Sequence, residues 1–220
     1  MKKLFFSLIL HFVLFSGILL KAQYVPTSPY LQNPTLAIGY TDSCAQFWLQ
    51  TYDYTSGGFF TRIDKVGNNI GTNKHMLTQT RNVYALVRAY MLTGDTTYII
   101  LAEEALNWMY AHAWDNTNGG WYQELDINGN PINPVADKTA FYQHYALLGI
   151  SAYYEATGDT LALNWLMNGY DHLENIYWDS RINFLGYYDK TSFNNQNTRN
   201  KSFNATVDAI TTNLLYLFLM

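Results

Sequence analysis

Cysteine is nearly absent from this chain. Cys44 stands alone among 220 residues, so no internal disulfide can form. Charge is also sparse, at 14% of residues, and nowhere clusters as a basic patch. Thirteen basic residues face seventeen acidic ones; without residues 1–22, which hold Lys2, Lys3 and Lys21, the balance becomes ten to seventeen, a net charge of −7. An acidic chain with no basic run argues against nucleic acid and anionic membrane as partners. No spacing of His, Cys, Asp or Glu resembles a metal site, and no cofactor is expected. Leu4–Leu20 is almost wholly apolar. With Lys2 and Lys3 before it, and Ala22 and the proline-bearing segment at Pro26 and Pro29 after it, this run reads as a secretory signal over residues 1–22. A secreted or periplasmic protein with no stable membrane span after cleavage is the expectation. A retained anchor is the competing reading, because the run is long for a signal.

What is abundant is aromatic: 17% of the chain, with 19 tyrosines. Tyr and Trp offer a flat apolar face with a polar edge, which suits helix packing first and sugar stacking second. These residues also recur in register. A turn runs from an Asp to a Gly-aromatic pair three times: Asp53 to Gly57-Gly58-Phe59, Asp115 to Gly119-Gly120-Trp121, and Asp179 to Gly186-Tyr187. A lysine then precedes a long apolar run at Lys74, Lys138 and Lys201, 64 and 63 residues apart. The first two runs stop at Thr93-Gly94-Asp95 and Thr157-Gly158-Asp159. A fixed period of this length means one supersecondary unit copied along the chain.

Each unit predicts two helices. The first follows the lysine, over roughly 75–92, 139–156 and 202–219, and is apolar nearly all round, as in Phe141, Tyr142, Tyr145, Ala146, Leu147, Leu148 and Ile150. Such a helix is expected to be buried on every side. The second starts after Gly-Asp, with Gly94 and Gly158 as left-handed caps and Asp95 and Asp159 as N-caps. Its apolar stripe is Tyr98, Leu101, Ala102, Ala105 and Met109, repeated as Ala162, Trp165, Leu166, Gly169 and Leu173. Asn128-Gly129 predicts a two-residue β-hairpin, one of several on one rim. A buried inner helix paired with an amphipathic outer one predicts an all-α, (α/α)6-type toroid. Open α-solenoids have shorter units, of about 34–47 residues. Residues 23–220 hold an outer helix at about 34–51, two full hairpins and a third inner helix. Closing a six-hairpin ring takes about three more units, so they read as the N-terminal portion of a toroid domain. Nothing in the sequence sets an oligomeric state.

The stretch Gly57-Gly58-Phe59…Asp64…Gly67…Lys74…Gln79-Thr80-Arg81-Asn82-Val83-Tyr84 resembles the start of the N-acylglucosamine 2-epimerase family, which includes cellobiose 2-epimerases and mannose isomerases. Lys138 to Asp159 resembles its second inner helix, and Lys201-Ser202-Phe203-Asn204 the start of its third. The resemblance implies an (α/α)6 barrel. It also implies epimerisation or isomerisation at C2 of a reducing mono- or oligosaccharide, by histidine-mediated proton transfer with an arginine stabilising the oxygen that gains charge. Arg81 matches the family arginine and is the catalytic candidate. Gln79, Tyr84, Trp121, Gln143, His144, Asn204 and Asp208 are the substrate-binding candidates. The sequence departs from the pattern at Thr206, where the family usually has a proton-transfer histidine.

Two other functions fit the same residues. A secreted glycoside hydrolase or lyase would need two carboxyl groups across the scissile bond, with Asp64, Glu124, Asp126, Asp137 and Asp208 as candidates. A non-catalytic sugar-binding member would keep Trp121, Tyr122, Tyr187 and Tyr188 as stacking platforms. Of the histidines, His112 and His172 fall on outer helices, where packing roles are expected. His75 and His144 fall on inner ones.

Overall fold

A computed structural model of the chain describes residues 27–219. The expected leader at 1–22 lies outside the described residues, as do the side chains at 204, 205, 207–209, 211 and 212. The chain divides after Gly39 into a short leading unit and a main unit. The leading unit holds α1 (Pro29–Gln32) and the start of α2 (Pro34–Leu49). In the main unit follow β1 (Asn73–His75), α3 (Met76–Thr93), α4 (Thr96–His112), β2 (Glu124–Asp126), β3 (Lys138–Thr139), α5 (Ala140–Thr157), α6 (Thr160–Ile176), β4 (Trp178–Asp179), β5 (Gly186–Tyr187), β6 (Lys190–Thr191) and α7 (Phe203–Leu219).

The long helices form two rows. α3, α5 and α7 pack side by side as the inner row, with α4 laid on α3 and α6 on α5. The reversals are those the sequence predicts. Gly94 and Gly158 end the inner helices at φ 75° and 68°, and the Asp95 and Asp159 carboxylates accept from Thr97 N (2.9 Å) and Ala162 N (2.7 Å). The outer helices bury the expected stripe, Tyr98, Leu101, Ala102, Ala105 and Met109 in α4 and Ala162, Leu166, Gly169 and Leu173 in α6, except that Trp165 stays half-buried. Between inner helices, the Thr80 hydroxyl enters the α5 backbone. It donates to Tyr145 O at 2.7 Å and accepts from Gly149 N at 2.8 Å, replacing one helical bond by a bridge from the neighbour.

The inner helices are not buried on every side. Arg81, Tyr84, Ala85 and Arg88 in α3 stay partly or fully exposed, and Phe141, Tyr142, Tyr145 and Leu148 in α5 stay half-exposed. These residues sit three and four apart, so they form one stripe along each helix. The opposite stripe carries the fully buried Met76, Val83, Leu86 and Val87, and Leu147 and Ile150.

The turn before each inner helix is held by one device repeated three times. Lys74, Lys138 and Lys201 reach back to Asp53, Asp115 and Asp179 at 2.8, 2.6 and 2.6 Å. Each lysine also donates to a carbonyl of the turn, that of Gly57, Gly119 or Phe184. In the first two units a glutamine adds a second clamp. Phe59 N donates to Gln79 Oε1 (2.6 Å) and Gln79 Nε2 to Phe59 O (2.7 Å); Trp121 and Gln143 repeat this at 2.6 and 2.9 Å. The corresponding third residue, Thr206, instead donates to Ser202 O within α7.

The rim carries the expected local hairpins, with Ile63 bridged to Asn69 and Leu125 to Pro131, and adds ladders between units. β1 pairs antiparallel with β2, and β3 with β6, so both ladders join successive units, whereas β4–β5 is local. Asn128-Gly129 does not make a two-residue turn. The tip closes one residue further out, with Asp126 N bonded to Asn130 O at 2.7 Å, because the Asp126 carboxylate organises the loop through Asn128 N and Asn130 N. Asp64 builds the same loop through Val66 N and Asn68 N.

Candidate functional site

The open stripe of the inner row carries the chemistry. The Arg81 guanidinium lies over the Tyr145 ring, 4.8 Å from its centroid, and has no carboxylate partner among the described residues. Two turns along α3, Arg88 is fully engaged. It pairs with Glu155 of α5 at 2.8 Å, donates to the Tyr216 hydroxyl of α7, and lies over the rings of Tyr84 (4.9 Å) and Tyr216 (5.2 Å). Tyr216 in turn donates to Glu155. Burial works against the Glu155 charge, but the bonds from Tyr216 and Arg88 outweigh it and hold the carboxyl below its usual range. Arg88 therefore ties three inner helices together, while Arg81 has no such carboxylate partner among the described residues. Tyr84 is half-buried under Arg88 rather than under Arg81.

Near Arg81, at the start of α3, His75 caps the helix through Nδ1, and its ring lies 5.0 Å from that of Tyr142. Across the β1–β2 ladder it faces Glu124, which accepts from Asn73 Nδ2 at 2.5 Å. A cavity of about 180 Å³ opens beside Glu124, lined by Tyr122, Gln123, Asn133, Asp137 and Lys138. It is smaller than the roughly 300–1,000 Å³ of ordinary small-molecule sites.

The other sequence candidates are placed as follows. Gln79 and Gln143 are buried, and their amides hold the turn backbones of Phe59 and Trp121. Trp121 is 1% exposed, packed on Trp114 and Trp165, so it offers no face to a sugar. His144 is wholly buried edge-on to Tyr187 at 5.3 Å, with neither ring nitrogen bonded, and burial pushes its imidazole down to about 3. Asn204 and Asp208 lie in α7 with side chains outside the described residues; by register Asp208 takes the place of Arg81 and Tyr145. His112 packs on Trp108, and His172 on Trp114 and Tyr177.

Of the carboxylates considered for hydrolysis, Asp64, Asp126 and Asp137 are engaged locally, and the Asp208 side chain lies outside the described residues. Bonds from Asn68 to Asp64, and from Asn130 to Asp126, hold both carboxyls below their usual range. Asp137 pairs with Lys190 at 3.3 Å and Arg199 at 2.5 Å. A general acid for glycoside cleavage needs the opposite shift. Among the platform tyrosines, Tyr122 lies beneath the Lys138 ammonium (5.5 Å), Tyr187 donates to Glu174, and Tyr188 donates to Asp179 at 2.9 Å.

Tyr142, Tyr145 and the Arg88–Glu155–Tyr216 cluster were not singled out by sequence reasoning. The repeat carried a signal for Tyr145, which stands seven residues after Lys138 as Arg81 stands seven after Lys74. Among the described residues, no group of three or more His, Cys, Asp or Glu side chains could hold a metal ion. No helix among them is long and apolar enough to cross a membrane.

Known proteins share this fold. Cellobiose 2-epimerase of Bacteroides fragilis is 27% identical over 139 residues, covering 62% of this chain and 35% of that enzyme. The solved cellobiose 2-epimerase of Spirochaeta thermophila superposes with a TM-score of 0.72 at 22% identity, covering 88% of this chain and 51% of that one. A solved D-mannose isomerase superposes at 0.68 with 20% identity, over 88% and 52%. The chain thus spans about half the length of these solved relatives, and its fold is that of the (α/α)6 toroids. The family model N-acylglucosamine 2-epimerase matches residues 58–217, and the chain belongs to that family.

Proposed function

We propose that the protein containing this chain acts at C2 of a reducing mono- or oligosaccharide, as an epimerase or aldose–ketose isomerase, and that Arg81 is its oxyanion-stabilising group. The observation that carries this is Arg81 itself: a guanidinium on the open face of the inner row, braced on Tyr145 and free of any carboxylate among the described residues. Removal of the C2 proton sends an electron pair toward the carbonyl oxygen and creates an enediolate. A fixed cation beside that oxygen lowers the barrier. Return of the proton to the other face of C2 gives the epimer, and its return to C1 gives the isomer. Thr206 is not suited to be the base, since a hydroxyl lies far from the near-neutral pKa that proton abstraction needs.

The test is exchange of the C2 proton of cellobiose or mannose with deuterium in D2O, followed by NMR. Exchange by the natural protein, lost in Arg81→Ala, supports the reading. New reducing ends released from a polysaccharide without C2 exchange would replace it by hydrolysis, and sugar binding without turnover by a binding role. We also propose a secreted or periplasmic location, supported by Lys2, Lys3 and the apolar run Leu4–Leu20. N-terminal sequencing of the exported protein tests it, with cleavage expected near Ala22 and an intact Met1 overturning it.

A further inference from the structure

We propose that His75 is a second sugar-contacting residue, presenting Nε2–H to a saccharide oxygen beside the Arg81 guanidinium; this rests on the saccharide reading above. His75 ends β1 and caps α3, and its Nδ1 accepts from Leu77 N at 3.2 Å. With that lone pair in use, the proton of the neutral ring sits on Nε2. The hydrogen bond of the ring is made by Nδ1, and His75 is half-buried rather than enclosed, which leaves Nε2 for a ligand. Its position is held from two sides. The His75 backbone N donates to Thr61 Oγ1 at 2.6 Å, and Tyr142 of α5 backs the ring at 5.0 Å.

Two charged groups act on the ring, Glu124 across the ladder and Arg81 on its own helix. Burial pushes the imidazole below its usual value; Glu124 pulls it up and Arg81 pushes it further down, with a net lowering. His75 is therefore a neutral donor at pH 7. It is poorly suited to abstract the C2 proton, because the nitrogen that would receive it already accepts the Leu77 amide. A neutral donor next to a fixed cation suits a sugar oxygen that gains charge during reaction. The rings of Tyr142 and Tyr145 lie on the same open stripe.

The test compares His75→Asn with Arg81→Ala in the protein as its gene encodes it. Asn is among the best N-cap residues, so the helix start is kept while the ring donor is lost. Expected are an unchanged Tm, a cellobiose affinity reduced about tenfold, and a 15N imidazole spectrum of the native protein that shows the Nε2–H tautomer and shifts on cellobiose addition. Unchanged affinity in His75→Asn with weakened binding in Arg81→Ala overturns the His75 role and leaves the saccharide reading standing. An Nδ1–H tautomer also overturns it. No binding of cellobiose or mannose by the native protein overturns both.

Discussion

Arg81 and Tyr145 occupy the same position in successive repeats and meet face to face, guanidinium over ring at 4.8 Å. One residue of the repeat is a cation on the open stripe, and its copy in the next unit is the ring beneath it. Arg81→Ala is expected to leave stability within about 0.5 kcal/mol, as an exposed side chain away from the core. Sugar binding or C2 exchange is expected to fall at least tenfold. Urea unfolding and calorimetric titration with cellobiose separate the two effects. A large loss of stability would make Arg81 a structural residue.

Gln143 is expected to behave in the opposite way. Its amide holds both backbone groups of the buried Trp121, and truncation to Ala leaves an orphaned N–H and C=O. Each costs about 1–3 kcal/mol. Gln143→Ala should lower the urea midpoint strongly, with no direct change in sugar affinity for the molecules that remain folded. Retained stability with lost affinity would return Gln143 to the binding site.

The Asp115–Lys138 pair is buried at both ends. Burial works against the Asp115 charge, but the bonds from Lys138 and Asn118 outweigh it and hold the carboxyl at about 2. The native state thus binds this proton less readily than the unfolded chain. The resulting stability is present above the unfolded carboxyl value of about 3.9 and is lost as pH falls toward about 2. Lys138→Met leaves an uncompensated carboxylate and should cost about 3–5 kcal/mol at pH 7. Chemical denaturation of the variant across pH 2–7 checks both statements.

His144 and His172 set the acid response at higher pH. Burial pushes His144 down to about 3; burial and then Lys138 push His172 down to about 4, against Asp115. Unfolding exposes imidazoles that titrate near 6.5, so the unfolded state binds more protons throughout the interval below that value. Stability should fall as pH drops from about 6.5, by about 1.4 kcal/mol per pH unit for each histidine. His144→Leu should remove one histidine's share of that slope between pH 6 and 4. An unchanged slope would show that His144 is protonated or bonded in the native state.

Gly149 of α5 lies directly against Thr80 of α3. A Cβ there would stand 2.7 Å from Thr80 O and 3.0 Å from Thr80 Oγ1. Gly149→Ala is expected to separate the two helices and cost about 1–3 kcal/mol by overpacking. Thermal unfolding checks it, and a neutral result would mean that the inner row slides freely.

The repeat, the helix pairs and their caps were all legible along the chain. Lys74, Gly94 and Asp95 recur at one period, and each acts within its own turn or on a turn some twenty residues back. Local geometry and hydrophobic period leave little freedom at such positions. The open stripe was not legible. Tyr145 and Leu147 differ in exposure only because one points away from the neighbouring helices and the other points into them. Apolar residues surround α5 in sequence, so periodicity could not say which face stays open. The Gln79 and Gln143 amides were equally ambiguous. Their partners lie 20 and 22 residues away, and only the folded turn shows that these polar groups are spent on backbone. The same holds for the rim ladders, where β1 and β2 meet across 51 residues from Lys74 to Leu125 only because the units stack. Patterns that repeat within one chain segment were thus set by the order of residues. The facing of each side chain, and with it the choice of Arg81 over Arg88 as the available cation, was set by which neighbours the packed helices brought alongside.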